Sequence, residues 1–417
     1  MRICVISRST THHFKSGGME TQLDNLLQGL KKNGHDVVVI TTAYSIDEIG
    51  CTKTEEKKGI TYYYLGDTTP GLNSMTLWES FFHKIGLLNR PSEIEGSENF
   101  CYRADQKYSE LAKIKKFDIL VSQSTAAKNV IDKHGAKLVA IIHGTIRDEI
   151  ENRLSSNKTF MNWGRFLAVD IPQWAFEHVT SNRRFFQNAD AVVAVSEKLK
   201  KSFLKDYPNY DSKTHVIYNG VDENVFSPAT DKRDGFNALY IGRMQREKGV
   251  DIILQAVREL SHLKHEMHFD LVGDGIHLNE FKRYVKEHNL EQYVTFHGQV
   301  DNTQTPQIYK NSDVFVFPTR RNEGHPMTVS EALCSGIPVV CTKRGGLAEL
   351  IESGTEGYYI EDDNPKQLGM KVLYLFENPD RLIKMKKAAR ELALKKFTRT
   401  SMIKHYEELF SRLVSSE

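Results

Sequence analysis

The segments RICVIS (residues 2–7), TQLDNLLQGLKKNG (residues 21–34) and DVVVIT (residues 36–41) read as strand, helix and strand. In the middle segment Leu23, Leu26, Leu27 and Leu30 follow the i, i+3, i+4, i+7 spacing of one helix face, and Gly34 ends the helix before the next apolar run. Short β-rich runs alternating with amphipathic helices are the pattern that a parallel sheet covered by helices requires. The beat returns in DILVS, KLVAII, AVVAVS and THVIY. These runs predict one doubly wound α/β domain over residues 1–221.

A polar, proline-bearing stretch, ENVFSPATDKRDG, separates this set from a second run of strands. NALYIG, HFDLVG, YVTFHG, DVFVFP and PVVCT are each followed by helical sequence, which predicts a second domain over residues 222–398. The final stretch, residues 399–417, is amphipathic, with Met402, Tyr406, Leu409, Phe410 and Leu413 on one side. It reads as a docking helix that packs on the domain it follows or crosses back to the first.

Composition narrows the function. At 417 residues, 40% hydrophobic and 26% charged, the chain can bury a sizeable core and is neither disordered nor fibrous. Lys plus Arg (56) nearly balances Asp plus Glu (54), a formal charge of +2, so bulk capture of nucleic acid is not expected. Cys4, Cys51, Cys101, Cys334 and Cys341 are odd in number and contain no CxxC pair, which argues against a disulfide framework or a zinc site. The opening MRICVIS lacks the pattern of a signal peptide, and no apolar run approaches the roughly 20 residues of a membrane span. A cytoplasmic location is the expectation.

The most specific chemistry lies in NEGHPMTVSEALCSGIPVV (residues 322–340). Pro326 suits the start of a helix, and Gly336 with Pro338 closes it. Glu323 then falls in the loop ahead of the helix and Glu331 inside it. The amides of Met327, Thr328 and Val329 open the helix, and such an end binds phosphate through its orphan N–H groups and dipole. Two carboxylates would repel phosphate, so they should face sugar and ribose hydroxyls instead. Upstream, NALYIGRMQREKGVDIILQAV is a strand, a basic loop and a helix that puts Arg243 and Lys248 at the carboxyl edge of the sheet, where open α/β folds bind ligands. Two cations there can offset a diphosphate without a metal. Taken alone, that loop is more often a solvated surface turn; its order relative to LVGDG, FHG and the paired glutamates favours the ligand reading.

Together these elements resemble the retaining glycosyltransferases of the GT-B fold, specifically the group 1 or family 4 transferases that include sucrose-phosphate synthases and bacterial mannosyltransferases. The resemblance spans nearly the whole chain. It implies two Rossmann-like domains facing a cleft, with the C-terminal helix crossing back to the first. It also implies roles: Glu323 contacts the donor sugar, Glu331 the nucleotide ribose, and Arg243 and Lys248 the diphosphate. Gly17 and Gly18, in GGME, match the glycine loop facing the phosphates, and His143 the histidine near the sugar. Apart from the resemblance, Gly273, in LVGDG, reads either as part of a tight turn or as a contributor to nucleotide-base binding. The implied reaction is retaining, metal-independent transfer from a UDP- or GDP-sugar to a hydroxyl acceptor such as a glycan or lipid-linked saccharide, with no cofactor. Two rivals remain, a nucleotide-sugar 2-epimerase of the same fold and a non-catalytic sugar-nucleotide-binding protein. The chain departs from the family at His325, where an aromatic residue or proline is usual, and in KKFTRTSM, which lacks a frequent tryptophan.

Residues 158–186 interleave Phe160, Trp163, Phe166, Trp174, Phe176, Phe185 and Phe186 with Lys158, Arg165, Arg183 and Arg184. The plainer reading is a buried helix with charged edges. The alternative is a surface that frames the acceptor or rests on the inner face of the cell membrane.

Overall fold

The computed structural model describes residues 1–13, 17–43, 52–66, 91–156, 182–229, 235–263 and 266–415. Its first sheet contains β1 (Arg2–Ile6), β2 (Asp36–Thr42), β3 (Thr52–Lys57), β4 (Ile60–Leu65), β5 (Ile119–Gln123), β6 (Lys137–Ile142), β7 (Ala191–Ala194) and β8 (Thr214–Val216). Their order is β3-β4-β2-β1-β5-β6-β7-β8, parallel except for the β3–β4 hairpin at one edge. The second sheet contains β9 (Phe236–Ile241), β10 (Met267–Val272), β11 (Val294–Gly298), β12 (Val314–Phe317), β13 (Val339–Thr342) and β14 (Gly357–Ile360). Its order is β11-β10-β9-β12-β13-β14, parallel throughout.

Helices cover both sheets: α1 (Gly18–Lys32), α2 (Pro91–Ile114), α3 (Ile146–Ser156), α4 (Arg183–Asn188) and α5 (Glu197–Asp206) in the first half, then α6 (Val250–Ser261), α7 (Leu278–Glu287), α8 (Thr305–Lys310), α9 (Met327–Cys334), α10 (Pro365–Glu377) and α11 (Pro379–Lys396) in the second. The face predicted for α1 is the buried one, with Leu23, Leu26, Leu27 and Leu30 at most 1% exposed, and Gly34 takes φ +85 just beyond it. In β1, Ile3 to Ile6 are fully buried, as a central parallel strand packed on both faces requires. Two separate apolar cores result, one on each sheet.

The terminal helix α12 (Arg399–Ser415) resolves the choice left open by its sequence. Met402, Ile403, Tyr406, Leu409 and Phe410 all belong to the core of the first sheet. The crossing is pinned where Val221 and Thr398 form a short parallel bridge: Val221 N donates to Phe397 O at 2.9 Å, and Arg399 N donates to Val221 O at 2.7 Å. Gly220 makes this approach possible, because a Cβ there would lie 2.5 Å from the Thr398 carbonyl oxygen and 2.7 Å from Met402 Cβ.

Phe185 and Phe186 are buried while Arg183 and Arg184 are exposed, the plainer of the two patterns expected for that stretch. The other aromatic and basic residues named in 158–186 lie outside the described residues, as does Cys51. Among the described residues no helix is long and apolar enough to cross a membrane.

Gly220→Ala should destabilise the protein by about 1 to 3 kcal/mol, since the clash is with main chain and a Cβ rather than a flexible side-chain end. Denaturant unfolding checks this, with α12 predicted to gain hydrogen exchange before β1.

Candidate active site

The strand ends of the second sheet create the site by close main-chain packing. Lys248 closes a short turn, Arg246–Lys248, whose next residue, Gly249, takes φ +79 and would collide through a Cβ with the Pro318 carbonyl beyond β12. Only glycine tolerates that approach. It brings Lys248 Nζ to 2.6 Å from Glu323 Oε1, with the two side chains 13% and 16% exposed. Thr319 Oγ1 donates to the same oxygen at 3.3 Å. Burial alone would raise the Glu323 pKa, but the Lys248 ammonium, helped by Arg321 and Thr319, holds it below the ordinary glutamate value. Arg243, at the end of β9, is exposed and forms no ion pair among the described residues.

Glu331 lies inside α9, 7% exposed, and accepts the Tyr309 hydroxyl at 2.9 Å. Burial pushes its pKa up to about 7, against the opposing effect of that hydroxyl. The first turn of α9 corrects one expectation. Val329 N–H bonds to the Pro326 carbonyl at 3.2 Å, because the proline ends the preceding loop and tightens the turn. The amides of Met327 and Thr328 remain without an acceptor among the described residues.

The first sheet supplies the opposite wall. Gly17 caps α1, and its N–H donates to Glu20 Oε2 at 2.8 Å. Gly18 meets the start of α9, where a Cβ would lie 3.6 Å from Met327 Cγ. His143, just past β6, reaches Gln123 through Nε2 at 2.6 Å. Its pKa is pushed down to about 4 by burial, despite the carboxylate of Glu20, so the ring is neutral at pH 7. Its carbonyl packs on Gly324, where any Cβ would collide with it, and so touches the residue after Glu323. Gly345 and Gly346 press on the same loop from β13: a Cβ on either would strike the carbonyls of Glu323 and Gly324, and Gly346 N donates to Glu323 O at 2.6 Å.

Gly273 takes φ +131 against the Gly242 carbonyl, seating the loop after β10 on the basic loop after β9. Met244 N donates to Asp274 O at 2.9 Å across the same seam. Within these loops Gln245 Oε1 and His277 Nδ1 are buried without a hydrogen-bond partner among the described residues. Glu323, Lys248, Gly324 and His143 are thus brought together, while Gly18 lies against the start of α9 and Gly273 stands with the Arg243 loop.

Several contacts that join the domains have no signal in the sequence. Glu349 reaches across the domains, accepting the N–H groups of Glu197 (3.0 Å) and Lys198 (2.8 Å) at the start of α5 and the Tyr218 hydroxyl at 2.9 Å. A carboxylate at a helix N-terminus is favourable there. Arg321 bonds Glu149 at 2.9 Å, and Asn322 N donates to Asn152 Oδ1 at 2.6 Å, both on α3. His325 faces inward: Nε2 is 2.6 Å from Ser330 Oγ and Nδ1 3.2 Å from Val195 O. This departure from the family pattern puts a buried imidazole, 6% exposed, at the contact between the domains.

Two Rossmann-like domains on mainly parallel sheets, with the Lys248–Glu323 pair and the open end of α9 on the second, have the architecture of the GT-B fold. Residues 16–225 match the profile of Glycosyltransferase Family 4, and residues 222–392 that of the group 1 glycosyl transferases. The chain belongs to this family and is a glycosyltransferase of group 1 type. An uncharacterized glycosyltransferase of Methanocaldococcus jannaschii is 26% identical over 311 residues, 72% of this chain and 83% of the relative. Mannosylfructose-phosphate synthase of Agrobacterium fabrum is 29% identical over 220 residues, 48% of each. Among solved structures, the fold is similar to sucrose-phosphate synthase from Thermosynechococcus elongatus, with a TM-score of 0.76 and 18% identity over 100% of both chains. It is also similar to Anabaena HepE in complex with UDP and glucose, with a TM-score of 0.69 and 17% identity over 98% of this chain and 99% of the other.

Lys248→Ala and Arg243→Ala should separate in stability. The first leaves the Glu323 carboxylate buried without its cation and should cost on the order of 2 kcal/mol at pH 7. Because Glu323 has a lowered folded pKa, this difference should be full above the ordinary value of 4.5 and shrink as pH falls through the folded one. Arg243→Ala should change stability by no more than about 0.5 kcal/mol. Equal losses in urea titrations at pH 7 would contradict the geometry.

Proposed function

We propose that this glycosyltransferase moves a sugar from a UDP- or GDP-sugar to a hydroxyl of a glycan or lipid-linked saccharide, with retention of configuration and without a metal. The observation that carries the reading is the Lys248–Glu323 contact at the carboxyl edge of the second sheet. Arg243, which forms no ion pair among the described residues, and the Met327 and Thr328 amides, which have no acceptor among them, belong to the same edge. Lysine has three donors, so Lys248 can keep Glu323 and meet a phosphate oxygen. Glu323 then accepts donor-sugar hydroxyls and Glu331 the ribose hydroxyls. Gly17 and Gly18 admit the diphosphate close to the main chain of α1, and Gly273 shapes the nucleoside side. The unpaired, buried Cys4, Cys101, Cys334 and Cys341 suit a reducing compartment, in which a lipid-linked acceptor would be met at the inner face of the membrane.

In this reading the bond from C1 to the leaving diphosphate oxygen breaks while the acceptor oxygen bonds C1 on the same face. The acceptor proton passes to the departing phosphate oxygen, so no protein base is needed. Arg243, Lys248 and the Met327 and Thr328 amides hold the charge that develops on the diphosphate. Loss of one such positioned donor costs about 10²- to 10³-fold in turnover. His143 orients the sugar from the opposite wall, and contact between the domains excludes water that would hydrolyse the donor.

Mass analysis of nucleotide sugars incubated with and without acceptors tests the assignment. Transfer predicts a glycoside and free nucleoside diphosphate only when acceptor is present, unaffected by EDTA. An epimer of the donor would establish an isomerase, and an unchanged donor throughout would establish a binding protein. Activity lost to EDTA and restored by Mg²⁺ would remove the metal-independent reading.

Glu331 supplies a separate check. Its pKa of about 7 means that ribose hydroxyls, by favouring the charged carboxylate, should expel a proton on binding. Calorimetry near that pH, in buffers of different ionisation enthalpy, should show proton release with UDP or GDP. Affinity should weaken as pH falls below the Glu331 value. Glu331→Gln should abolish the proton release and cost about 1 to 3 kcal/mol of binding.

A further inference from the structure

Behind His143, a line of buried polar side chains crosses the first domain. His143 Nε2 lies 2.6 Å from Gln123 Oε1, and Gln123 Nε2 donates to Gln22 Oε1 at 3.1 Å. Gln22 Nε2 in turn points to Met402 Sδ of α12, 3.9 Å away. Gln22 and Gln123 are 0% and 2% exposed, so no bulk water can substitute for a lost partner. A carboxamide has one accepting and one donating end, which makes the line directional. With its nitrogen given to Gln22, Gln123 presents only its oxygen to His143. The proton of the neutral imidazole must then sit on Nε2.

We propose that Gln123 and Gln22 are positioning residues that hold His143 as the Nε2–H tautomer, so that the ring cannot act as a base through Nε2 and its main-chain carbonyl stays fixed against Gly324. The inference rests on the reading of His143 as the group beside the donor sugar. The two glutamines, 101 positions apart in the chain, together set the wall against which Glu323 is placed. That wall is also tied to the terminal helix, because the same Met402 sulfur lies 3.1 Å from Gly220 N at the crossing. The ionisable groups acting on the ring are Glu20 from α1 and His325 from the loop before α9.

Nitrogen-15 NMR of histidine-labelled full-length protein reads the tautomer directly. His143 is predicted to show a protonated Nε2 and a bare Nδ1 at neutral pH. A protonated Nδ1 in the unsubstituted protein overturns the proposal, whatever the variants do. Gln123→Leu should mix the tautomers and lower kcat about tenfold or more, while affinity for UDP or GDP stays within about twofold, as expected for misplacement without loss of nucleotide contacts. Gln22→Leu, which frees the Gln123 amide to turn, should mix them too. Gln123→Glu retains an acceptor at that point and should recover part of kcat. An unchanged kcat in a folded Gln123→Leu also overturns the proposal. His143→Ala reports on the underlying reading alone: full turnover there would remove His143 from the sugar site while the tautomer still decides the relay.

Discussion

The absence of a side chain at Gly324 is the constraint on which the site depends. Its main chain lies in van der Waals contact with the His143 carbonyl from the first domain, while Gly345 and Gly346 press on it from the second. A Cβ at any of the three would push the loop out, and Glu323 would leave Lys248 with it. Glycine accepts this crowding at the cost of chain entropy, which the two well-packed cores offset. The residue that the proposed function puts against the sugar is therefore positioned by both sheets, although only one carries it.

Holding the sheets face to face is the second requirement. Helix α12 buries five residues in the first core after the chain has left the second, so the domains are linked at the crossing as well as along residues 217–222. Glu349 adds a charged cap across the interface, onto the first amides of α5. Arg321 and Asn322 add polar contacts to α3 directly beside Glu323. These contacts are polar and partly exposed, so they can break and re-form more readily than an apolar seam, which suits the closure over a donor in the proposed mechanism.

The sequence revealed what is local. Apolar runs such as RICVI and VVVIT mark their strands, and Glu323 and Glu331, seven residues between them, with the GRMQREKG loop mark the edge at which the proposed site lies. Strand β3, TKTEEK, escaped because it is charged and lies at a sheet edge, where one antiparallel partner suffices; β14, GYYI, is too short to stand out from its turn. The inward turn of His325, the pairing of Arg321 with Glu149 and the line from Gln22 to His143 all join residues more than 100 positions apart. No spacing rule brings such side chains together, because the sheet order decides who meets whom. The loss of the Val329 amide is subtler: a proline fits a helix start, yet its carbonyl also takes the N–H three residues on.

In the proposed mechanism the donor is gripped between Lys248–Glu323 and the His143 wall so that the acceptor can approach only from the leaving-group side. The anomeric configuration of the fresh product tests this most directly. With an α-linked gluco-configured donor, proton NMR should show the small anomeric coupling of an α-glycoside. With a manno-configured donor, the one-bond carbon–proton coupling should report the same outcome. A β-glycoside from an α-donor would mean displacement from the opposite face, assisted by a protein base, and would contradict the proposed mechanism even with the fold intact.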